Sequence, residues 1–248
     1  MIHMPVTQAL VLAGGEGTRL RPLTNDVPKP LVPVNGKPLL EWNVRLLVAQ
    51  GVEEVLLAIG YKAEKIMDYF DDGSRFGVSV DYVIEQEPLG TAGAVKLAEE
   101  KLDDVFFCMN ADEITNVDLQ KMAEFRASRG GIAALYLHEA KDVSGLGVVK
   151  TDGDRISAFV EKPDPANPPS RLISGGRYVF DKKIVNFIAI GKQSLERDVF
   201  PKLAEKGSLL GYADKNAYWS TINSLDQLKK VEKDFAEGRL KWLEKSAR

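Results

Sequence analysis

Cysteine is almost missing from this chain of 248 residues, which contains one, Cys108. A single cysteine cannot form a disulfide within the chain, so a fold held together by disulfides is excluded. Cys108 lies in the apolar run 105–109 and is expected to be buried. A chain without disulfides is typical of a reducing compartment, and we therefore expect a cytoplasmic protein.

Long apolar runs and a surplus of one charge are missing as well. No stretch approaches the ~20 apolar residues that span a bilayer, and the apolar run 9–13 is too short for a signal peptide. The formal net charge is -3, whereas proteins that bind nucleic acid usually carry a basic surplus. We therefore expect neither a membrane nor a nucleic-acid partner.

The first half of the chain alternates short apolar runs with segments of helical period. Residues 8–13 and 54–59 are typical of buried strands, and residues 38–50 and 63–70 of helices. Gly51 ends the first of these helices. The alternation predicts an α/β fold with a Rossmann-like, mostly parallel sheet that is covered by helices on both faces.

The pattern changes after residue 131 to short strands joined by turns. Residues 132–137, 147–150 and 156–161 are predicted strands, which indicates an antiparallel addition to the parallel sheet. Residues 225–242 are predicted to form a helical tail with a charged outer face. We expect a single domain over residues 1–248, because no repeat or low-complexity tract divides the chain.

A glycine-rich loop, Gly14 to Arg19 (GGEGTR), follows the first predicted strand directly. Glycines in this place let the backbone bend sharply and bring its N–H groups close to an anion. The loop is not a dinucleotide fingerprint, because Leu20 takes the place of the third glycine, and it lacks the Gly-Lys-Ser/Thr of a Walker A loop. On the glycines alone, a plain structural turn is the alternative.

Two cations favour a phosphate-binding loop. Arg19 can offer a forked cation to phosphate oxygens. Lys29 is fixed between Pro28 and Pro30, which restrict the backbone around it. A lone lysine in a turn is usually only solvated, but one held between prolines just beyond a glycine loop indicates an anion site.

At this point the sequence resembles a known family. The run from Leu12 to Glu41 (LAGGEGTRLRPLT, then PKPLVPVNGKPLLE) is similar to the signature of the sugar-1-phosphate nucleotidylyltransferases. Further similar segments follow in the family's order: 87–93 (EPLGTAG), 110–112 (NAD), 160–163 (VEKP) and 194–203 (SLERDVFPKL). No hexapeptide repeat is present, so we expect no left-handed β-helix domain of the kind that longer members append.

The resemblance implies the nucleotide-diphospho-sugar transferase fold and a reaction. A sugar 1-phosphate would attack the α-phosphorus of a nucleoside triphosphate in line and release pyrophosphate. Because the attacking phosphate is already anionic, catalysis would rest on positioning and charge neutralisation. Mg²⁺ is the implied cofactor, and the family's common dimers and larger assemblies leave a homo-oligomer open.

The resemblance also assigns roles to residues. Arg19 would contact the departing pyrophosphate, Lys29 the phosphates at the reacting centre, and Asp112 the metal, with a loop cap as the alternative for Asp112. Lys162 would hold the phosphate of the sugar. The positions assigned to the nucleotide are Leu12, Ala13, Gly14, Gly15, Gly17, Thr18, Glu85, Gly90 and Thr91. The positions assigned to the sugar are Gly147, Glu161, Ser174 and Gly176.

Glu85 bears on the choice of base. Counted back from Gly90, it falls where members that use pyrimidine nucleotides often carry glutamine. A carboxylate can accept hydrogen bonds from both N1–H and the amino group of guanine, whereas glutamine suits uracil or thymine. This favours GTP with mannose 1-phosphate. A shift of one residue would put Gln86 in this place and favour UTP or dTTP with glucose 1-phosphate.

Three motifs depart from the family pattern. Asn-Gly-Asp is here 110–112 (NAD), Asn-Ala-Gly is 174–176 (SGG), and Trp-x-Asp-Ile-Gly is 219–223 (WSTIN). Thr221 therefore stands where a second metal-binding aspartate is expected, and a hydroxyl is a poorer ligand for Mg²⁺. A weak or inactive relative that binds nucleotide sugars is the alternative to an active enzyme.

Overall fold

The computed structural model describes residues 5–246, without the side chain of residue 246. The strands are β1 (Gln8–Leu12), β2 (Pro33–Val34), β3 (Lys37–Pro38), β4 (Glu54–Ile59), β5 (Ser79–Ile84), β6 (Val105–Asn110), β7 (Glu113–Thr115), β8 (Ala133–Glu139), β9 (Gly147–Asp152), β10 (Arg155–Glu161), β11 (Leu172–Asp181), β12 (Leu209–Ala213) and β13 (Trp219–Thr221). The helices are α1 (Leu39–Ala49), α2 (Ala63–Phe70), α3 (Gly90–Leu97), α4 (Leu119–Arg129), α5 (Phe200–Glu205), α6 (Leu225–Ala236) and α7 (Lys241–Ser246). The predicted α/β class is confirmed.

The glycine-loop unit comprises residues 7–88, 110–116 and 218–246. Its strands β5, β4 and β1 lie side by side in that order and are parallel. Helix α1 connects β1 to β4, and α2 connects β4 to β5, as the alternating pattern predicts. Strands β7 and β13 form a separate antiparallel pair in which Thr221 is opposite Glu113.

The large-sheet unit comprises residues 5–6, 89–109 and 117–217. Its strands follow the order β6, β11, β8, β12, β10, β9, and the described pairs are antiparallel except β8 with β12. The strand predicted at 132–137 thus has one antiparallel and one parallel neighbour. Cys108 is buried here as expected, and burial raises the pKa of its thiol well above the usual value.

The segment 225–242, predicted as a helical tail, contains two helices. Helix α6 ends at Ala236, and α7 begins at Lys241 after a break. Gly238 takes a φ of 73° in this break, a left-handed conformation that ends helices and is natural for glycine. The single-domain expectation stays a prediction, and its ends, 1–4 and 247–248, lie outside the described residues. Within residues 5–246, no helix has the length and apolar character that crossing a bilayer requires.

Helix α6 begins with a cap that also fixes the residue before it. The hydroxyl of Ser224 accepts a hydrogen bond from the backbone N–H of Gln227, at 3.3 Å. In return, Oε1 of Gln227 accepts one from the backbone N–H of Asn223, at 2.7 Å. Reciprocal bonds of this type satisfy N–H groups that a helix start leaves without partners. The cap therefore holds the backbone of Asn223 against the helix.

One apolar cluster supports this part of the glycine-loop unit. Trp42 of α1 donates its indole N–H to the carbonyl of Val34 at 2.8 Å, and its ring centre lies 5.3 Å from that of Phe235 of α6. Ile114 of β7 and Ile222, which follows β13, are fully buried in the same cluster. Packing in this cluster therefore holds the strand pair β7–β13 in place.

Removing the ring of Phe235 tests how much this cluster stabilises the fold. Phe235→Ala is expected to lower the free energy of unfolding by about 3 kcal/mol, because the lost ring leaves a cavity beside Trp42. Urea denaturation measures the change. Ile190, 93% exposed, provides the control, and Ile190→Ala should cost less than about 0.5 kcal/mol. Similar small losses for both variants would contradict this role of the cluster.

Candidate functional site

The glycine-rich loop lies directly on Lys29. Gly17 has a φ of 66° and leads into one turn of 3-10 helix, Thr18–Leu20. Its carbonyl accepts hydrogen bonds from Leu20 N and from the hydroxyl of Thr24, both at 2.9 Å. A Cβ atom on Gly17 would lie 2.6 Å from Cβ of Lys29, which is closer than atoms can approach. Both the left-handed backbone and the contact with Lys29 therefore require glycine here.

Lys29 joins residues that are far apart in the sequence. Its Nζ lies 2.6 Å from Oδ2 of Asp112 and 2.6 Å from Oδ1 of Asn223. The side chains of Lys29 and Asp112 are only 13% and 25% exposed. Arg19 donates to the same Oδ1 of Asn223, at 3.1 Å. The structure thus brings together Arg19, Lys29 and Asp112, which the resemblance named, in what we call the cation cluster.

Asn223, the fourth member of the cation cluster, was not singled out from the sequence. Its Nδ2 donates to the hydroxyl of Thr221 at 2.6 Å, so the amide is oriented with its oxygen towards the two cations. One signal could have found it. In the pattern that resembles Trp-x-Asp-Ile-Gly, the final glycine is replaced by a residue with a polar side chain, two positions after the missing aspartate.

The side chains around Asp112 offer few ligands to a metal ion, which would therefore take most of its ligands from the substrate and from water. Among residues 5–246, no group of three or more His, Cys, Asp or Glu side chains is arranged to hold a metal. The hydroxyl of Thr221 accepts from Asn223, and the buried carboxylate of Glu113 accepts from the indole N–H of Trp219 at 3.2 Å. Asp112 could therefore supply one carboxylate, and phosphate oxygens and water would complete the shell, as is usual for Mg²⁺.

Glu85 lies against the start of the glycine-rich loop, at Gly14, whereas Lys29 lies against Gly17. It follows β5, and its backbone N–H donates to the carbonyl of Ile59 at 2.8 Å. A Cβ atom on Gly14 would lie 2.5 Å from Oε1 of Glu85, so the carboxylate rests against the backbone of the loop. The neighbouring Gln86 is exposed.

The other loop residues assigned to the nucleotide differ in exposure. Leu12 ends β1, Ala13 is buried, and Gly15 and Thr18 are exposed on the loop.

A second group of predicted residues lies in the large-sheet unit. Glu161, at the end of β10, pairs with Gly147, the first residue of β9. A Cβ atom on Gly147 would lie 3.1 Å from Oε2 of Glu161, so the glycine leaves room for the carboxylate. Nζ of Lys162 lies 3.5 Å from Oε1 of Glu161. Lys162 has a φ of 52°, a left-handed conformation that is unusual for lysine.

The hydroxyl of Ser174 is a buried polar group without a hydrogen-bond partner among the described residues. Strand β11 also pairs with β9, in an antiparallel contact that joins Ile173 to Val148 and places Ser174 next to Gly147. Gly176, with a φ of 60°, lies in the irregular stretch of β11 that follows. Because a buried hydroxyl without a partner is costly, a ligand hydroxyl is a natural partner for it.

Gly90 and Thr91, which were assigned to the nucleotide, lie in the large-sheet unit. A Cβ atom on Gly90 would lie 2.5 Å from the carbonyl oxygen of Gln193. The hydroxyl of Thr91 donates to Oε2 of Glu196 at 2.7 Å and accepts from the backbone N–H of Leu195 at 2.9 Å. The contacts of both residues with the segment 193–196 therefore serve the protein's own structure.

The environment of Glu161 predicts a dependence of stability on pH. Burial of the carboxylate, and then the charge of Glu196, raise the pKa of Glu161 against the opposing charges of Lys162 and Arg197. A raised pKa means that the folded state disfavours the ionised carboxylate. Ionisation therefore destabilises the fold as the pH rises above the usual glutamate value of about 4.3.

We expect Glu161→Gln to raise the melting temperature relative to wild type at about pH 7.5, with the difference shrinking towards about pH 4, where both side chains are neutral. Thermal melts at several pH values measure this. The exposed Glu205 provides the matched control, because Glu205→Gln makes the same change at a solvated position of the same unit. A difference for Glu161→Gln that grows on acidification would contradict the environment described for Glu161.

Comparisons with known proteins agree with the sequence resemblance. A family model described as nucleotidyl transferase matches residues 8–238. The chain is 37% identical over 235 residues to a mannose-1-phosphate guanylyltransferase of Mycobacterium tuberculosis, a match that covers 93% of this chain. It is also 37% identical over 243 residues, 96% of this chain, to a mannose-1-phosphate guanylyltransferase catalytic subunit beta of Danio rerio. The chain spans 65% of the length of each of these two relatives.

A solved structure of similar length gives the same result. HddC from Yersinia pseudotuberculosis, crystallised in complex with GMP-PN, is 32% identical, with a TM-score of 0.79 over 93% of this chain and 100% of that chain. The matching fold, the family model over almost the whole chain and the matching motifs agree on one family. The chain belongs to the nucleotidyl transferase family.

Proposed function

We propose that this protein transfers GMP from GTP to mannose 1-phosphate and releases pyrophosphate, giving GDP-mannose. The observation that carries the proposal is the cation cluster, in which Arg19 and Lys29 converge beside the glycine loop and Asp112. Relatives that are 37% identical are named for this guanylyltransferase activity. The related HddC structure holds GMP-PN, which is consistent with a guanine nucleotide.

In the proposed mechanism, the residues of the glycine-loop unit bind the triphosphate. Backbone N–H groups of the loop and the side chains of Arg19 and Lys29 neutralise its charge, which grows on the pyrophosphate as the bond to the α-phosphorus breaks. Members of the family generally use a divalent metal ion, and we propose Mg²⁺. When bound at Asp112, it would supply further charge neutralisation.

The residues around Glu161 are proposed to bind the sugar phosphate. Lys162 would hold the phosphate, whose oxygen attacks the α-phosphorus as the oxygen of pyrophosphate leaves. Glu161 and the hydroxyl of Ser174 would bind the sugar hydroxyl groups. The unpartnered oxygen of Ser174 supports this assignment, because a hydroxyl of the sugar would satisfy it.

A pyrophosphate-release assay with paired substrates tests the proposed function. GTP, UTP and dTTP are each combined with mannose 1-phosphate and with glucose 1-phosphate in the presence of Mg²⁺. The proposal expects the highest kcat/KM for GTP with mannose 1-phosphate. Binding of GDP-mannose without turnover of any pair would instead support a regulatory relative, for which the single carboxylate beside Thr221 is the motive.

Replacing Glu85 tests the base preference. The structure sets Glu85 against Gly14 of the loop, while Gln86 is exposed, and this supports Glu85 as the residue that binds guanine. Glu85→Gln is expected to reduce the preference for GTP over UTP at least about tenfold, because an acceptor for guanine becomes an amide donor. The ratio of kcat/KM values measures it. Gln86→Glu is the control, and a shift caused by Gln86→Glu alone would show that residue 86 binds the base.

Replacing the two cations tests the phosphate site. Arg19→Ala and Lys29→Ala should each lower kcat at least about 100-fold, since each removes a charge-assisted contact with the developing phosphate charge. Arg21 follows the loop by two residues and provides the control. Its side chain is 56% exposed, and its Nη2 lies 3.8 Å from Oε2 of Glu16. Arg21→Ala should keep kcat within about twofold of wild type. Circular dichroism checks that each variant folds. Near-normal kcat in folded Arg19→Ala and Lys29→Ala would show that the loop is not part of the active site.

A further inference from the structure

We propose that Asn223 is a positioning residue that aims Lys29 and Arg19 at the phosphate groups of the substrate. The inference rests on the proposed function and adds a residue to which the resemblance gives no role. Its basis is a single oxygen atom. Oδ1 of Asn223 lies 2.6 Å from Nζ of Lys29 and 3.1 Å from Nη2 of Arg19.

A carbonyl oxygen has two lone pairs, and here each can serve one cation. Lysine and arginine side chains have many rotamers, and two like charges close together repel. An acceptor shared by both cations offsets this repulsion and selects one conformation of each side chain. Without it, Arg19 would lose the only contact with the cation cluster that the structure describes for it.

Asn223 can do this because its own position is fixed from three sides. Its backbone N–H donates to Gln227 at 2.7 Å, and its Nδ2 donates to Thr221 at 2.6 Å. The preceding residue, Ile222, is buried and donates its backbone N–H to the carbonyl of Asp112 at 2.7 Å. The amide oxygen is therefore aimed by helix α6, by strand β13 and by the segment that carries Asp112.

An uncharged amide is better suited to position 223 than a carboxylate. A carboxylate at position 223 would also accept from both cations, but it would add a negative charge that faces the triphosphate. The amide holds Lys29 and Arg19 while leaving their charges available for phosphate oxygens. When Asp112 engages a metal ion instead of Lys29, Asn223 would keep an acceptor for the ammonium group.

The test compares Asn223→Ala and Asn223→Asp with wild type in the pyrophosphate-release assay. For Asn223→Ala we expect kcat to fall about 30-fold, while KM for mannose 1-phosphate changes less than about threefold. Asn223→Asp restores the acceptor, so its kcat should regain at least about half of the activation free energy that Asn223→Ala loses. Its negative charge should raise KM for GTP at least about threefold.

The matched control is Asn116, whose Oδ1 accepts from the backbone N–H of Tyr218 at 2.7 Å in the same unit. Asn116→Ala makes the same change away from the cation cluster, and its kcat should stay within about twofold of wild type. A kcat of Asn223→Ala within that range would overturn the inference. Equal losses of kcat in Asn223→Ala and Asn223→Asp, with matching falls in melting temperature, would also overturn it and assign a structural role.

Two binding measurements separate the inference from its alternatives. Calorimetric titration with inorganic pyrophosphate needs no turnover, and Asn223→Ala should bind it at least about threefold more weakly than wild type. If wild type turns over no substrate pair, the proposed function fails, yet unchanged pyrophosphate affinity in Asn223→Ala would still overturn the inference separately. Titration with Mn²⁺ alone should give equal affinities for both proteins, and a loss of about tenfold in Asn223→Ala would make Asn223 a metal ligand instead.

Discussion

The interaction on which the rest of the glycine-loop unit depends is the pairing of the Lys29 ammonium group with the oxygens of Asp112 and Asn223. It ties together segments that are 83 and 194 residues apart in the sequence. Prolines flank Lys29, Asp112 lies directly before β7, and the cap of α6 fixes the backbone of Asn223. The packing of Ile114 and Ile222 in one apolar cluster keeps the segments that carry Asp112 and Asn223 together.

Much of the fold could be predicted where the signal is local. Strand β4 and helix α2 have the bounds that the apolar pattern predicts, and strand β1 is one residue shorter than predicted. Two features could not be predicted. Apolar alternation indicates a strand but not its neighbour, so the parallel pairing of β8 with β12 is visible only in the structure. The break at Gly238 depends on a left-handed φ that an isolated glycine in a charged helix does not reveal.

The candidate site shows the same division. Arg19, Lys29 and Asp112 came from motifs, and the structure adds that they meet. The sequence shows the change at residue 223 but not its consequence, because the role of that amide depends on side chains that are far away in the sequence. The unpartnered hydroxyl of Ser174 is likewise a property of burial, which the sequence pattern alone does not give.

A crystal structure with GTP and Mg²⁺ bound tests the central claim most directly, which is that the cation cluster holds the triphosphate. The account predicts phosphate oxygens within about 3 Å of Nζ of Lys29 and of the guanidinium of Arg19, with Asn223 still accepting from at least one of the two cations. Triphosphate bound away from the glycine loop, with Lys29 still paired only to Asp112 and Asn223, would contradict it.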